Sequence, residues 1–247
     1  MKYLLVAFGF LSTLPVPQLG DYDPKALGRS TAWFPLVGLV MGAIVAGAHY
    51  GLSFVLPLPL VAVLSTVLWI ALSGGLHLDG LGDSFDALLC ATTPERRLEI
   101  LKDVHLGAYG VIGLVCAILL KAILLYSLPA AQVFIAIPLA AATARWVMVL
   151  ATQQPSARPG GLGDMTKQGM KKTDWIPAVL IMLILIAVSV YLQYWQVLIA
   201  LAVAHLLAFI VFWSARKKLG GLTGDIFGLS AELVELAVLT VFCLTVF

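Results

Sequence analysis

Apolar stretches long enough to cross a bilayer recur along the whole of this chain, and no other feature constrains its fold as strongly. They lie near 32–51, 58–75, 111–128, 131–151, 176–195, 196–214 and 231–247. A run of about 20 apolar residues is what a helix needs to cross a hydrocarbon layer. Within lipid each backbone N–H and C=O must find a partner inside the segment, so such runs fold as helices. With 61% hydrophobic and only 11% charged residues, against roughly 25% charged in a soluble domain, no soluble domain is left over. The expected fold is an all-α, polytopic integral membrane helical bundle of about six to eight membrane segments, one transmembrane domain over residues 1–247. The opening MKYLLVAFGFLSTLPVP has no small-residue cleavage site after its apolar run and ends in Pro15 and Pro17. It reads as a short re-entrant or interfacial helix rather than a signal peptide.

The connections between segments are of two kinds. Those near 51–57, 128–131 and 194–196 carry no charge. The others, 20–31, 76–110, 152–175 and 215–230, hold Lys25, Arg29, Arg96, Arg97, Lys102, Arg158, Lys167, Lys171, Lys172, Arg216, Lys217 and Lys218, twelve of the 15 basic residues. Counting spans puts all four on one side, and the positive-inside rule makes that side cytoplasmic. The expected location is the cytoplasmic (inner) membrane, multi-pass, with the active mouth and its loops facing the cytoplasm. A net charge of +2, without a basic patch interleaved with aromatics, argues against nucleic acid as a partner. Cys90, Cys116 and Cys243 are far apart in apolar settings and fit neither a disulfide framework nor a zinc site. Lys121, Arg145 and His205 lie inside segments, where isolated charges are usually partnered.

The polar chemistry is concentrated. In SGGLHLDGLGDSFDALLC, residues 73–90, a helix over 77–88 places Asp79, Asp83 and Asp86 at i, i+4 and i+7, within one narrow arc. Three carboxylates this close repel one another unless a cation sits between them. Hard oxygen ligands without nearby thiolates point to Mg²⁺, which binds substrate phosphates alongside one or two protein carboxylates. Gly80 and Gly82 cost about 1 kcal/mol each inside a helix, and their missing side chains would let a pyrophosphate approach the backbone. Asp79 and Asp83 are the candidate catalytic residues, and Asp79, directly behind the apolar run, is expected to lie deepest. The competing reading is a solvated acidic helix end paired with Arg96, Arg97 and Lys102.

A second cluster, LGGLTGDIFGLSAELVELA at 219–237, carries Asp225 and Glu232 seven residues apart, on one helical face. They extend the candidate metal set to Asp79, Asp83, Asp86, Asp225 and Glu232; the alternative pairs them with Arg216, Lys217 and Lys218. A third cluster, LKDVHLGAYG at 101–110, brings Lys102, Asp103 and His105. Candidate substrate contacts are His77, Gly80, Lys102, Asp103, Arg145, Thr223 and Gly224. Gly-Gly-Leu followed by an aspartate occurs at 74, 160 and 220, and with 22 glycines in the chain no repeat is drawn from it.

Read residue by residue, GGLHLDGLGDSFDAL resembles the signature of the cobalamin synthase family, the adenosylcobinamide-GDP ribazoletransferases, whose usual form is close to GG-[FL]-H-x-DGLADT-x-DG. FLSTLPVP, FPLVGLVMGA at 34–43, LKDVHLGAYG and GGLTGDIFGLSAELVEL at 220–236 match further family blocks in the same order. Gly82 stands where the family has alanine, Ala87 where it has glycine, and Val104-His105 where it tends to have Ser-Arg. The resemblance implies a transferase that joins α-ribazole, or its 5′-phosphate, to adenosylcobinamide-GDP. The products would be adenosylcobalamin or its phosphate, and GMP, with Mg²⁺ as cofactor and the lipid bilayer as surroundings. A homo-oligomer is left open.

Two other readings compete. An intramembrane Mg-dependent prenyl- or alcohol-phosphotransferase would need a second aspartate-rich motif or an apolar slot, and the region around Asp225 has single, spaced acids instead. A vitamin or ion permease would place polar groups near the midplane and charge on both faces, which the uncharged connections disfavour.

Overall fold

The computed structural model describes residues 2–17 and 24–244. In chain order the helices are α1 (Lys2–Leu11), α2 (Pro24–Ser30), α3 (Phe34–Leu52), α4 (Leu58–Ser73), α5 (Leu76–Leu89), α6 (Pro94–Ile100), α7 (Ala108–Ser127), α8 (Val133–Ala151), α9 (Leu162–Gly169), α10 (Trp175–Tyr191), α11 (Gln196–Leu219) and α12 (Gly224–Phe242). Among the described residues there is no strand beyond one parallel bridge, Ser156 to Leu222. Each expected apolar segment overlaps one of α3, α4, α7, α8, α10, α11 and α12, with α11 running on to Leu219 and α12 starting already at Gly224. Residues 20–23 of the first polar connection and 245–247 of the last segment lie outside the described residues.

Four stretches are long and apolar enough to cross a membrane: Lys25–Leu52, Ala108–Ser127, Ala130–Ala151 and Gln196–Leu219. Helices α4 and α5 would make a fifth only if joined, and they are bent by 91° at their break. α4 is apolar throughout, whereas α5 carries three aspartates in 14 residues, so α5 lies off the end of α4 rather than continuing its path. α10 is apolar but 17 residues long. α12 has 19 residues but contains Asp225, Glu232 and Glu235. At 1.5 Å per residue, the ten residues of α1 cannot span.

The packing follows membrane rather than aqueous logic. Small residues line helix–helix contacts and large apolar ones face outward, because lipid tails solvate leucine as well as a protein core does. α8 turns Ala136, Ala140, Ala141, Ala142 and Ala144 inward, all fully buried, against α3 and α12. By contrast Ile112, Leu119 and Ile123 of α7, Leu183 and Ile184 of α10, and Leu206 and Phe209 of α11 are exposed.

The four charged connections gather at one end. α2 packs on α9, and Arg29 Nε lies 3.7 Å from Asp174. Arg158 donates to Leu98 O at 2.7 Å and Lys218 to Leu88 O at 2.8 Å, tying 152–175 and 215–230 to 76–110. At the uncharged end Tyr194 donates to Ala131 O at 2.7 Å and the Tyr50 ring meets Phe134 at 5.3 Å.

Candidate active site

The end of α4 shows how the first acidic motif reaches the polar end. Gly74 and Gly75 both adopt left-handed backbone, with φ of 61° and 73°, a conformation glycine enters without a Cβ penalty. The chain leaves α4 there and α5 starts in a new direction. The same device occurs twice more: Gly160 and Gly220, the first glycines of the other two Gly-Gly-Leu sequences, have φ of 72° and 79°. The recurrence is therefore structural. The three turns converge on one open cavity of about 160 Å³, to which they contribute Leu76, His77, Asp79 and Gly80; Gly161, Leu162 and Gly163; and Thr223, Gly224 and Asp225. The second and third turns are laced together by Ala157 N–H to Leu222 O at 2.9 Å and Leu222 N–H to Pro155 O at 2.7 Å. Phe10 of α1 and Met148 of α8 complete the apolar part of the wall.

Within this frame the acidic residues part company. Asp79 and Asp225 line the cavity. Asp79 is exposed rather than the deepest of the three on α5; Asp86, at 9% exposure, is the buried one. Asp83 stands one turn beyond Asp79, where burial, and then the charges of Asp79, Asp225 and Asp86, raise its pKa to about 6 against the opposing charge of Arg158. Asp225 is also raised, chiefly by burial, with the Thr223 hydroxyl, which donates to Asp225 Oδ2 at 3.0 Å, and Arg158 pulling the other way. Asp79, Asp83 and Asp225 thus form one repelling carboxylate group. No three His, Cys, Asp or Glu side chains converge into a metal cage of their own among the described residues.

The other two expected metal ligands are committed elsewhere. Asp86 accepts Gly107 N–H at 2.7 Å and Gly110 N–H at 2.9 Å, so it caps the start of α7 from a neighbouring helix. A Cβ on Gly107 or Gly110 would lie 2.5 or 2.3 Å from that carboxylate, which accounts for the glycines flanking Tyr109. Glu232 lies inside the bundle, where its Oε2 accepts from Lys121 Nζ at 2.7 Å. Lys121 also donates to Glu235 at 2.6 Å, while Arg145 and Trp69 both donate to Glu235 Oε1. Two cations and two carboxylates cancel there, so Lys121 and Arg145 are partnered, as intramembrane charges need to be. The basic residues weighed as salt-bridge partners for the acidic clusters also turn elsewhere: Arg96 to Glu99 at 2.7 Å, Arg97 to Ala87 O, Arg216 to Gln154, and Lys217 over the Trp213 ring.

The candidate substrate contacts divide in the same way. Thr223 and Gly224 line the cavity. His77 lines it too, is 1% exposed, and has neither ring nitrogen hydrogen-bonded among the described residues. Gly80 touches the cavity, but its absent side chain serves packing: a Cβ would sit 2.8 Å from Asp225 O, at the crossing of α5 and α12. Arg145 is fully buried on Glu235. Lys102 and Asp103 are exposed, Asp103 accepting from the His105 backbone at 3.0 Å and facing its ring at 2.8 Å, and neither lines the cavity. His205, exposed, accepts from Trp146 Nε1 at 3.0 Å.

Sequence reasoning missed Arg158 and Ser156, both on the cavity wall, and Glu235 in the buried network. The Gly-Gly-Leu recurrence pointed to the turn beside the first two. A parity of charge pointed to the third: two cations inside apolar segments call for two anions there.

Comparison with known proteins bears directly on these features. The family described as CobS, cobalamin-5-phosphate synthase, matches residues 3–243. The chain belongs to this family. Among its curated relatives, an adenosylcobinamide-GDP ribazoletransferase of Deinococcus radiodurans is 40% identical over 240 residues, covering 96% of this chain and 84% of the relative. Proteins of the same name from Pseudomonas putida and Desulforamulus reducens are 40% and 39% identical, covering 94% of this chain in each case and 95% and 92% of the relatives. No solved structure matches. Membership in the cobalamin-5-phosphate synthase family covers all three Gly-Gly-Leu turns and the buried ion network alike.

Proposed function

We propose that this chain is an adenosylcobinamide-GDP ribazoletransferase of the membrane, joining adenosylcobinamide-GDP to α-ribazole or its 5′-phosphate and releasing GMP. The observation that carries the reading is the convergence of Asp79 and Asp225, from turns about 150 residues apart in a chain of 247, on one cavity beside Asp83. At about 160 Å³ the cavity is smaller than the roughly 300–1,000 Å³ that hold a drug-sized ligand. It suits the diphosphate of the substrate, with nucleoside and corrinoid outside.

The carboxylates fit magnesium in the mode that ion prefers, one or two protein carboxylates together with substrate phosphates. Hard oxygens whose charges repel one another suit a cation between them, and Asp79 and Asp225, with Asp83 behind them, would hold it. A bound Mg²⁺ would supply charge neutralisation of the diphosphate. The chain's own work is alignment. Thr223 orients Asp225, the α5–α12 crossing at Gly80 sets the spacing of Asp79 and Asp225, and the apolar Phe10 and Met148 limit water. A carboxylate that lines the cavity, Asp79 or Asp225, takes the proton of the attacking ribazole hydroxyl. The gathering of the basic connections at this end supports a cytoplasmic orientation in the inner membrane.

Membranes containing the purified chain, supplied with adenosylcobinamide-GDP, α-ribazole and Mg²⁺, should release GMP in step with cobalamin. No GMP above a control lacking α-ribazole would rule the reading out.

A further inference from the structure

The loop from 152 to 159 carries none of the acidic motifs, yet it sends one permanent cation to the cavity. Arg158 lines the same cavity as Asp79 and Asp225. Its place is fixed from three directions. The Ser156 hydroxyl donates to Arg158 O at 2.9 Å and accepts its N–H at 3.3 Å. The neighbouring Ala157 is bound to Leu222, one residue before Thr223. One guanidinium arm, Nη2, is pinned on Leu98 O at 2.7 Å. Its Nε is buried without a hydrogen-bond partner among the described residues. A buried donor without a partner favours the arrival of a polar group. The three nearby carboxylates do not fill that need. Asp79 lines the cavity without a hydrogen bond to Arg158, Asp225 Oδ2 takes the Thr223 hydroxyl, and Asp83 feels Arg158 only as a charge.

A preset guanidinium and a carboxylate group lining one cavity of about 160 Å³ are together complementary to a ligand whose anionic oxygens can be held both directly and through a bridging cation. We infer that Arg158 is a substrate-binding residue that holds non-bridging oxygens of the diphosphate directly. The inference rests on the proposed transferase reading for the identity of the substrate, but not for the diphosphate class. The planar fork matches phosphate oxygens in pairs, which a lysine ammonium does not.

The test uses the full chain in detergent or nanodiscs, with two independent readouts. The first is steady-state kinetics of Arg158→Gln and Arg158→Lys. Arg158→Gln should raise KM for adenosylcobinamide-GDP by about tenfold or more while leaving KM for α-ribazole within about twofold, with Arg158→Lys in between. The second is binding of inorganic pyrophosphate with Mg²⁺, followed by calorimetry, which needs no turnover and should weaken by a similar factor. Parental KM and parental pyrophosphate affinity in Arg158→Gln would overturn the inference. So would equal losses for both substrates with a lowered melting temperature and no recovery in Arg158→Lys, the pattern of a loop anchor on Leu98. If the parent releases no GMP yet binds pyrophosphate through Arg158, the transferase reading fails and the anion site stands.

Discussion

Lys121 on α7 and Glu235 on α12 meet at 2.6 Å inside the bundle, and the same glutamate receives Arg145 from α8 and the Trp69 indole from α4. One carboxylate thus joins four helices. It lies within electrostatic reach of His77, which lines the candidate active site. The network ties α12, which carries Asp225, to α4, α7 and α8.

Removing Glu235 strands two cations with Glu232 alone. Breaking a buried ion pair by deleting one partner typically costs about 3–5 kcal/mol, so Glu235→Ala should lower the unfolding temperature in detergent sharply. Lys121→Met combined with Glu232→Leu removes one charge of each sign, and should cost less than the sum of the two single changes. Strict additivity in thermal unfolding would show that the pair is not coupled.

Asp79→Asn and Asp225→Asn should each lower turnover by about tenfold or more and raise the Mg²⁺ concentration for half activation, tenfold being about 1.4 kcal/mol. Because Asp83 titrates near pH 6 in the ion-free site, and ligands bind metal deprotonated, Mg²⁺ affinity should fall as pH drops through 6. Asp83→Asn should flatten that dependence. Full activity in a chelator would contradict the metal proposal.

Asp86→Ala tests the capping role separately. It leaves two N–H groups at the start of α7 unpaired, a loss of about 1–2 kcal/mol for a helix cap, and should lower stability and turnover without moving the Mg²⁺ activation constant. A shifted constant would return Asp86 to the metal.

Gly80→Ala places a methyl 2.8 Å from Asp225 O. Overpacking of this kind costs about 1–3 kcal/mol, and here the displaced backbone carries a site residue. Activity should therefore fall further than the loss of folded protein explains, measured as turnover per correctly folded molecule by size-exclusion recovery.

Cysteines placed at Lys217 and Ser53 should label from opposite membrane faces, Lys217 from the cytoplasm. Labelling from the same side would refute the bundle's sidedness.

How much of this was legible beforehand follows from the range of each signal. Hydropathy reports on about twenty consecutive residues, and it located all seven apolar helices, from α3 to α12, and the sorting of charge to one end. Helical period reports on a few turns, and it put Asp79, Asp83 and Asp86 on one helix, α5. Neither signal reaches across the chain. The partners that absorb Asp86, Gly107 and Gly110, lie 21 and 24 residues on, and the one that absorbs Glu232, Lys121, lies 111 residues back. So the shared arc correctly predicted which carboxylates are neighbours along α5, and could not tell the one spent on a cap from those left for a ligand.

The sequence by itself determined a membrane bundle with an acidic mouth, because bilayer thickness and backbone hydrogen bonding leave an apolar chain no other solution. It also singled out Asp79, through the helical spacing of the acidic motif, and Asp225, through the glycine-rich turn before it, and both line the cavity. Only the tertiary structure showed which residues line the cavity. It holds Asp86, Glu232 and Arg145 in other bonds and adds Arg158 to the lining. The physical reason is that a buried charge is assigned by whichever opposite group the packing places within about 3 Å of it, and packing is a property of all the helices at once.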